Sequence, residues 1–180
     1  MRCFGDGNPL YERYHDEEWG VPVRDERGLF ERISLEAFQS GLAWITILRK
    51  REGFRRAFAG FDPEAVAAFG PTDVERLLAD AEIVRNRAKI EATIANAGAT
   101  LALRETGTPL EELVWSFAPP PRKRRPTSWE DVPAQTDEWK ALAKALKAAG
   151  FRFVGPTTAH TAMQACGLVD DHLAGCLSVS

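Results

Sequence analysis

Residues 14 to 44 gather a chemically useful set of side chains: Tyr14, His15, Trp19, Glu36 and Trp44. Aromatic faces beside a carboxylate can stack on a flat ligand and attract positive charge. At about 100° per residue, Leu29, Phe30, Ile33 and Ala37 share one helical face, and Glu36 lies roughly 20° from Leu29. A carboxylate at that angle is drawn towards the core, where it needs a polar or cationic partner. The alternative is an exposed i,i+4 pair with Arg32, worth a few tenths of a kcal/mol. The helical wheel is compatible with both. For Tyr14, Trp19 and Trp44, plain core packing is the ordinary alternative.

A second set lies at the two ends of the chain: Cys3, His15, His172 and Cys176. His172 and Cys176 are four residues apart, so on one helical turn both would face one point. Joined by Cys3 and His15, they would make a tetrahedral Cys2His2 site with no position left for water. Such a site braces a fold rather than catalysing. The same residues also read as two unrelated histidines and two buried free cysteines. Cys166, inside MQACG, reads as core, and His160 as a solvated or capping side chain. A third pattern is FVGPTT at 153 to 158. A glycine turn before a helix lets the backbone approach a phosphate, with free N–H groups and a positive dipole end behind it. Glycine turns between helices are also common without any ligand.

The elements that must position these residues read as helices throughout. Residues 3 to 13 form a loop with a short helix from Pro9 to Tyr14. Asp25 caps a helix running through Glu36 until Gly41 interrupts it. Trp44 to Phe58 reads as two short helices split at Gly53, and its ITIL segment has no partner strand. Asp62-Pro63 caps and opens another helix, and Thr72-Asp73-Val74-Glu75 reads as a capping box. Arg85 to Arg104 is the longest helical candidate, and Pro109 opens LEELVWSF. Thr136 caps WKALAKALKAAG, and Pro156 opens TTAHTAMQACG after the tight turn FRFVG. The proline-rich basic loop 119–128 joins two helical lobes that share one core, since neither side is large enough for its own. An all-α single domain over 1–180 is expected.

At 180 residues, 44% hydrophobic and 27% charged, the composition is that of an ordinary globular protein. No apolar run approaches about 18 residues, so no membrane partner is expected. The N-terminus lacks a signal-peptide pattern, and a cytoplasmic location follows. Three scattered cysteines argue against a disulfide framework. A net charge of −3 counts against an obligate nucleic-acid binder. It does not exclude one, because phosphate contacts need only local positive charge. Arg49-Lys50-Arg51 with Arg55-Arg56, and Arg122 to Arg125, are two such clusters.

The blocks YHDEEWGVP, LEAFQSGLAW, ITILRKREGFRRAF and FVGPTTAHTAMQACGLVDDH together resemble the 3-methyladenine DNA glycosylase I family, in the family's order and from Cys3 to about Cys176. The resemblance implies an alkylation-repair enzyme with a helix-hairpin-helix glycosylase fold, bounded at its hairpin by Gly150 and Gly155. It also implies a structural zinc, one per chain, on Cys3, His15, His172 and Cys176, stapling the termini together. Tyr14, Glu36 and Trp44 match base-recognition positions, with Glu36 the catalytic carboxylate, whereas Trp19 could be structural. Gly41 and Leu42 match the residues that fill the gap left by a flipped base, and Gly155 matches the backbone-binding hairpin. The implied partners are double-stranded alkylated DNA and free 3-methyladenine as product, with the protein a monomer.

The implied chemistry follows from the leaving group. Methylation at N3 gives adenine a delocalised positive charge in DNA, so the base departs neutral and needs no strong general acid. Extrusion, orientation and a carboxylate aimed at the cation could supply the rate. Asp170 and Asp171 follow the hairpin but are not assigned catalysis. No lysine adjoins the hairpin where a lyase would need one, so a monofunctional enzyme is expected. Three positions depart from the family pattern. Gly5 stands where a tryptophan is common, leaving Phe4 to build that wall of the pocket, and Ala37 and Ala43 replace a common glycine and serine. Two other readings compete. His15-Asp16 and Asp170-Asp171-His172 resemble the ligand pairs of helical metal phosphohydrolases, although the cysteines favour a softer, closed site. A non-enzymatic DNA-binding module would bind duplex without releasing a base.

Overall fold

Helix starts in this chain are set largely by short polar side chains that accept hydrogen bonds from the first turn. In the computed structural model, which describes residues 2–133 and 136–176, α1 (Pro9–Glu17) is capped by Asn8 and α2 (Glu26–Gln39) by Asp25. Asp62 caps α4 (Pro63–Ala67), Asn86 caps α6 (Arg87–Glu105) and Thr136 caps α8 (Asp137–Ala148). The remaining helices are α3 (Trp44–Ala57), α5 (Pro71–Ala79), α7 (Leu110–Trp115) and α9 (Pro156–Ala165). Among the described residues there is no strand, so the fold is all-α. Nor is any helix among those residues long and apolar enough to cross a membrane.

Three local expectations are corrected. α1 continues past Tyr14 to Glu17. Gly53 does not split α3, which runs unbroken from Trp44 to Ala57. Its bare Cα instead lets the helix approach the next turn, since a Cβ there would lie 2.5 Å from the Glu82 carbonyl oxygen. Close backbone approach, not helix breaking, is what this glycine supplies. The capping box at Thr72 is also misplaced. α5 begins at Pro71, and Asp73 reaches back to the Gly70 amide at 3.1 Å.

α2 is central, contacting α3, α6, α7 and α9. Its Leu29, Phe30, Ile33, Leu35 and Phe38 are buried in a single hydrophobic cluster that runs from Tyr14 to Val169. Phe38 packs on Phe54 with ring centroids 4.7 Å apart, and Phe58 packs on Phe61 at 5.7 Å. Each buried side chain of this kind contributes about 1.5–3 kcal/mol.

α6 adds two buried polar groups to that core. The Lys89 ammonium donates to the carbonyls of Phe38 at 2.8 Å and Ser40 at 2.6 Å, at the C-terminal end of α2. Cationic donors suit those unpaired carbonyls. Asn96 accepts from the Arg152 amide at 2.7 Å and donates to the Arg152 carbonyl at 3.1 Å. That pairing fixes the turn between α8 and α9, where Gly150 has φ +99 and Phe153 has φ +57. Replacing Asn96 with Ala strands both backbone groups of Arg152. Urea unfolding should show about 1–3 kcal/mol lost, with amide exchange at the turn accelerating first.

Candidate functional site

Tyr14 from α1, Glu36 from α2 and Trp44 from α3 converge on one cavity of about 190 Å³, with Phe4, Trp19 and Trp129 in its wall. Tyr14 and Trp44 meet with ring centroids 5.3 Å apart, and Phe4 meets Trp19 edge-on at 5.0 Å. Phe4 thus stands in the wall as expected. Gly5 beside it has φ +88, a conformation side chains disfavour.

Glu36 is 5% exposed, so the exposed pair with Arg32 is not what forms. Arg32 instead donates to Glu18 at 3.0 Å, and Arg51 donates to the same carboxylate at 2.8 Å. The Arg32 guanidinium also lies 5.7 Å from the centre of the Tyr14 ring. Consequently Glu36 Oε2 and the Trp44 indole N–H are buried with no hydrogen-bond partner among the described residues. Burial pushes the Glu36 carboxyl up to about 7, with the Thr161 hydroxyl and the Arg32 charge opposing it. Burial and the neighbouring Glu36 push the Tyr14 phenol far above its usual range, so it is a neutral donor.

A second cavity of about 320 Å³ shares Glu36, Gln39 and Thr161 with the first and opens between Gly41, Leu42, Thr157 and Thr158. Gly41 has φ +81, and the turn it makes leaves Leu42 40% exposed at the groove. Gly155 is the residue before α9, with an ordinary φ of −76 and open space where a side chain would go.

The chain ends meet beneath Trp19. Ligand atoms of Cys3, His15 and Cys176 all lie within 4.8 Å of one another. His172 lies outside that threesome, with its ring centroid 5.3 Å from that of His15 and its Nε2 buried without a partner. The expected helical turn from His172 to Cys176 does not form. Residues 171–176 are non-helical, and a turn in which the Cys176 amide donates to the Leu173 carbonyl brings the cysteine round. Two thiols, two imidazoles and an unpaired buried nitrogen suit a soft divalent cation. Asp16 holds His15 Nδ1 at 2.9 Å and Asp170 holds His172 Nδ1 at 2.7 Å. Carboxylates in that position orient histidine ligands. They stand behind the imidazoles rather than beside them, which disfavours the phosphohydrolase arrangement.

Other sequence readings fare unevenly. Cys166 is core, and burial pushes its thiol up to about 12. His160 is neither solvated nor a cap: it stacks on Trp139 with centroids 3.3 Å apart and bonds the buried Asp171 at 3.2 Å. The basic clusters are largely engaged internally. Arg122 pairs with Asp171 at 2.8 Å, Arg125 with Asp170 at 3.1 Å and Arg55 with Glu31 at 2.8 Å. Sequence reasoning missed Trp129, Thr161 and Gln164 in the cavity wall. Thr161 and Gln164 were accessible in principle, being three apart on one face of α9.

The model of the methyladenine glycosylase family matches residues 4–179. DNA-3-methyladenine glycosylase 1 of Escherichia coli is 51% identical over 170 residues, covering 94% of this chain and 91% of that protein. A crystal structure of a 3-methyladenine DNA glycosylase I superposes with TM-score 0.94 at 50% identity, covering 98% of each chain. The Staphylococcus aureus 3-methyladenine DNA glycosylase I, solved to explain 3-methyladenine recognition, superposes with TM-score 0.92 at 36% identity, covering 97% of this chain and 94% of that one. With a family match across nearly its whole length, and a cavity walled by the aromatic and acidic residues its sequence singles out, this chain belongs to the methyladenine glycosylase family.

Proposed function

We propose that this protein excises 3-methyladenine from alkylated duplex DNA by hydrolysing the N-glycosidic bond, as a monofunctional glycosylase. The observation that carries the reading is Glu36 Oε2, a buried carboxylate oxygen without a partner inside an aromatic cavity. Unpaired buried acceptors are costly, and a cationic base with an exocyclic amine would satisfy this one. Trp44 and Tyr14 supply the faces on which an extruded base stacks. The positive charge of the lesion favours the ionised Glu36, opposing the burial that pushes its carboxyl up to about 7. Normal adenine carries no such charge and leaves the carboxylate undercompensated. The base departs neutral, so Glu36 acts by electrostatic support and orientation rather than proton donation.

Leu42, on the exposed turn after Gly41, is suited to fill the space the base leaves. The α8–turn–α9 unit, read as a helix-hairpin-helix, is suited to grip the backbone through amides near Gly155. Zinc would be held by Cys3, His15 and Cys176 with His172 as fourth ligand, and would supply structural closure of the chain ends. The same reading makes the protein a cytoplasmic monomer.

Excision of 3-methyladenine from methylated duplex, with the released base identified by mass, is the direct test. Glu36→Gln should lower kcat/KM by about one to two orders of magnitude, the value of a charge-assisted hydrogen bond. In the wild type kcat/KM should rise with pH to a plateau above about 7, as the free carboxyl ionises, and that limb should vanish in Glu36→Gln. The stability signs run the other way. A carboxyl raised from 4.5 to about 7 in the folded state loses stability as pH climbs between those values. Glu36→Gln should therefore fold, and gain on the wild type above neutral pH.

Two further outcomes are expected. Gly155→Leu has room for its side chain and an ordinary φ, so it should fold yet weaken damaged and undamaged duplex binding by similar factors. Metal analysis of purified protein should find one zinc per chain. Cys176→Ser should lower Tm more than it changes base selectivity, and a zinc-free folded wild type would refute the staple.

A further inference from the structure

Trp129 is 43% exposed, whereas the other tryptophans are buried or half-buried. Among the described residues it is also the one exposed residue lining the cavity of Tyr14, Glu36 and Trp44, and so stands at its mouth. Its ring lies 6.2 Å from Trp19 at 61°, and Trp19 in turn packs on Phe4. One aromatic wall thus runs from Phe4 through Trp19 to Trp129, in the cavity that Tyr14 and Trp44 also line.

The indole is presented by a fixed turn rather than a slack loop. Trp129–Asp131 is a single 3-10 turn in which the Asp131 carboxylate accepts from the amides of Thr127 at 2.9 Å and Ser128 at 3.0 Å. Just before it, the Pro126 carbonyl accepts from the Ala174 amide at 2.7 Å, tying the segment to the C-terminal tail. Leaving a large aromatic face in water is unfavourable unless something covers it.

We infer that Trp129 is a further base-binding residue, closing over the outer face of the extruded methylated purine and so contributing to lesion selectivity. This rests on the functional reading given above. A flat heteroaromatic entering the cavity meets Tyr14 and Trp44 inside and the Trp129 ring at the opening. Trp129 therefore covers the base face that would otherwise remain in water, a contact that needs an aromatic face and not merely apolar bulk.

The test is calorimetric titration of free 3-methyladenine into the wild type, Trp129→Ala, Trp129→Leu and Trp129→Phe. Unmodified-duplex binding, Tm and metal content are followed in parallel. The Ala and Leu variants should bind the base about tenfold more weakly, and Phe within about threefold of wild type. Duplex affinity and metal content should not move. Wild-type affinity in Trp129→Leu would overturn the inference, reducing Trp129 to an apolar cover. Parallel loss of metal would overturn it too, making Trp129 a shield for His172 and Trp19. Failure of the wild type to bind the base would refute the functional reading and this inference with it.

Discussion

Two buried polar side chains of α6 fix the relative positions of everything around the site. Lys89 and Asn96 are seven residues apart, about two helical turns or roughly 10.5 Å along the axis. Lys89 grips the end of α2 just before Gly41 and Leu42, and Asn96 grips the turn before Gly155. The two surface turns that flank the groove are therefore hung from one rigid rod. Burying an ammonium and an amide is expensive unless their hydrogen bonds are made. Both side chains find backbone partners only when α2, α6 and the turn at 151–155 are mutually placed. Core packing alone tolerates small slides between helices, whereas these bonds do not.

Charge partition is the second organising constraint. Glu18 takes both Arg32 and Arg51, and this leaves Glu36 without an ion-pair partner despite Arg32 lying one helical turn away. A sequence reading that considers α2 alone cannot see this competition, because Glu18 follows α1 and Arg51 belongs to α3. The same logic governs the loop at 119–128, whose Arg122 and Arg125 are drawn onto Asp171 and Asp170. A chain with net charge −3 has enough carboxylates to claim most of its guanidinium groups. Much of the positive charge is then engaged internally, and backbone amides would have to carry more of any nucleic-acid contact.

Helix existence was legible because caps and apolar period are local signals: Asp25, Asp62 and Thr136 each act where the sequence places them. Gly53 was misread because a glycine's role depends on what approaches it, here the Glu82 carbonyl. The spacing of His172 and Cys176 suggested a helical turn, whereas a tight loop carries Cys176 to Cys3 and His15 and leaves His172 outside that group. Tyr14, Glu36 and Trp44 could be named from their types and their neighbours, and they do share one cavity. Trp129 could not, since it comes from an irregular segment with no period, and only the tertiary fold brings it to Trp19.

Tyr14 and His15 are consecutive residues of α1, one facing the cavity and the other the cluster where Cys3 and Cys176 meet. The two ends of the described chain thus meet at a single point directly behind the pocket wall. In mechanical terms, a pull applied across those ends would load this meeting point before it stretched any helix. Yielding there would disturb the cavity wall through Phe4, which packs on His15, while the α2-centred core still stood.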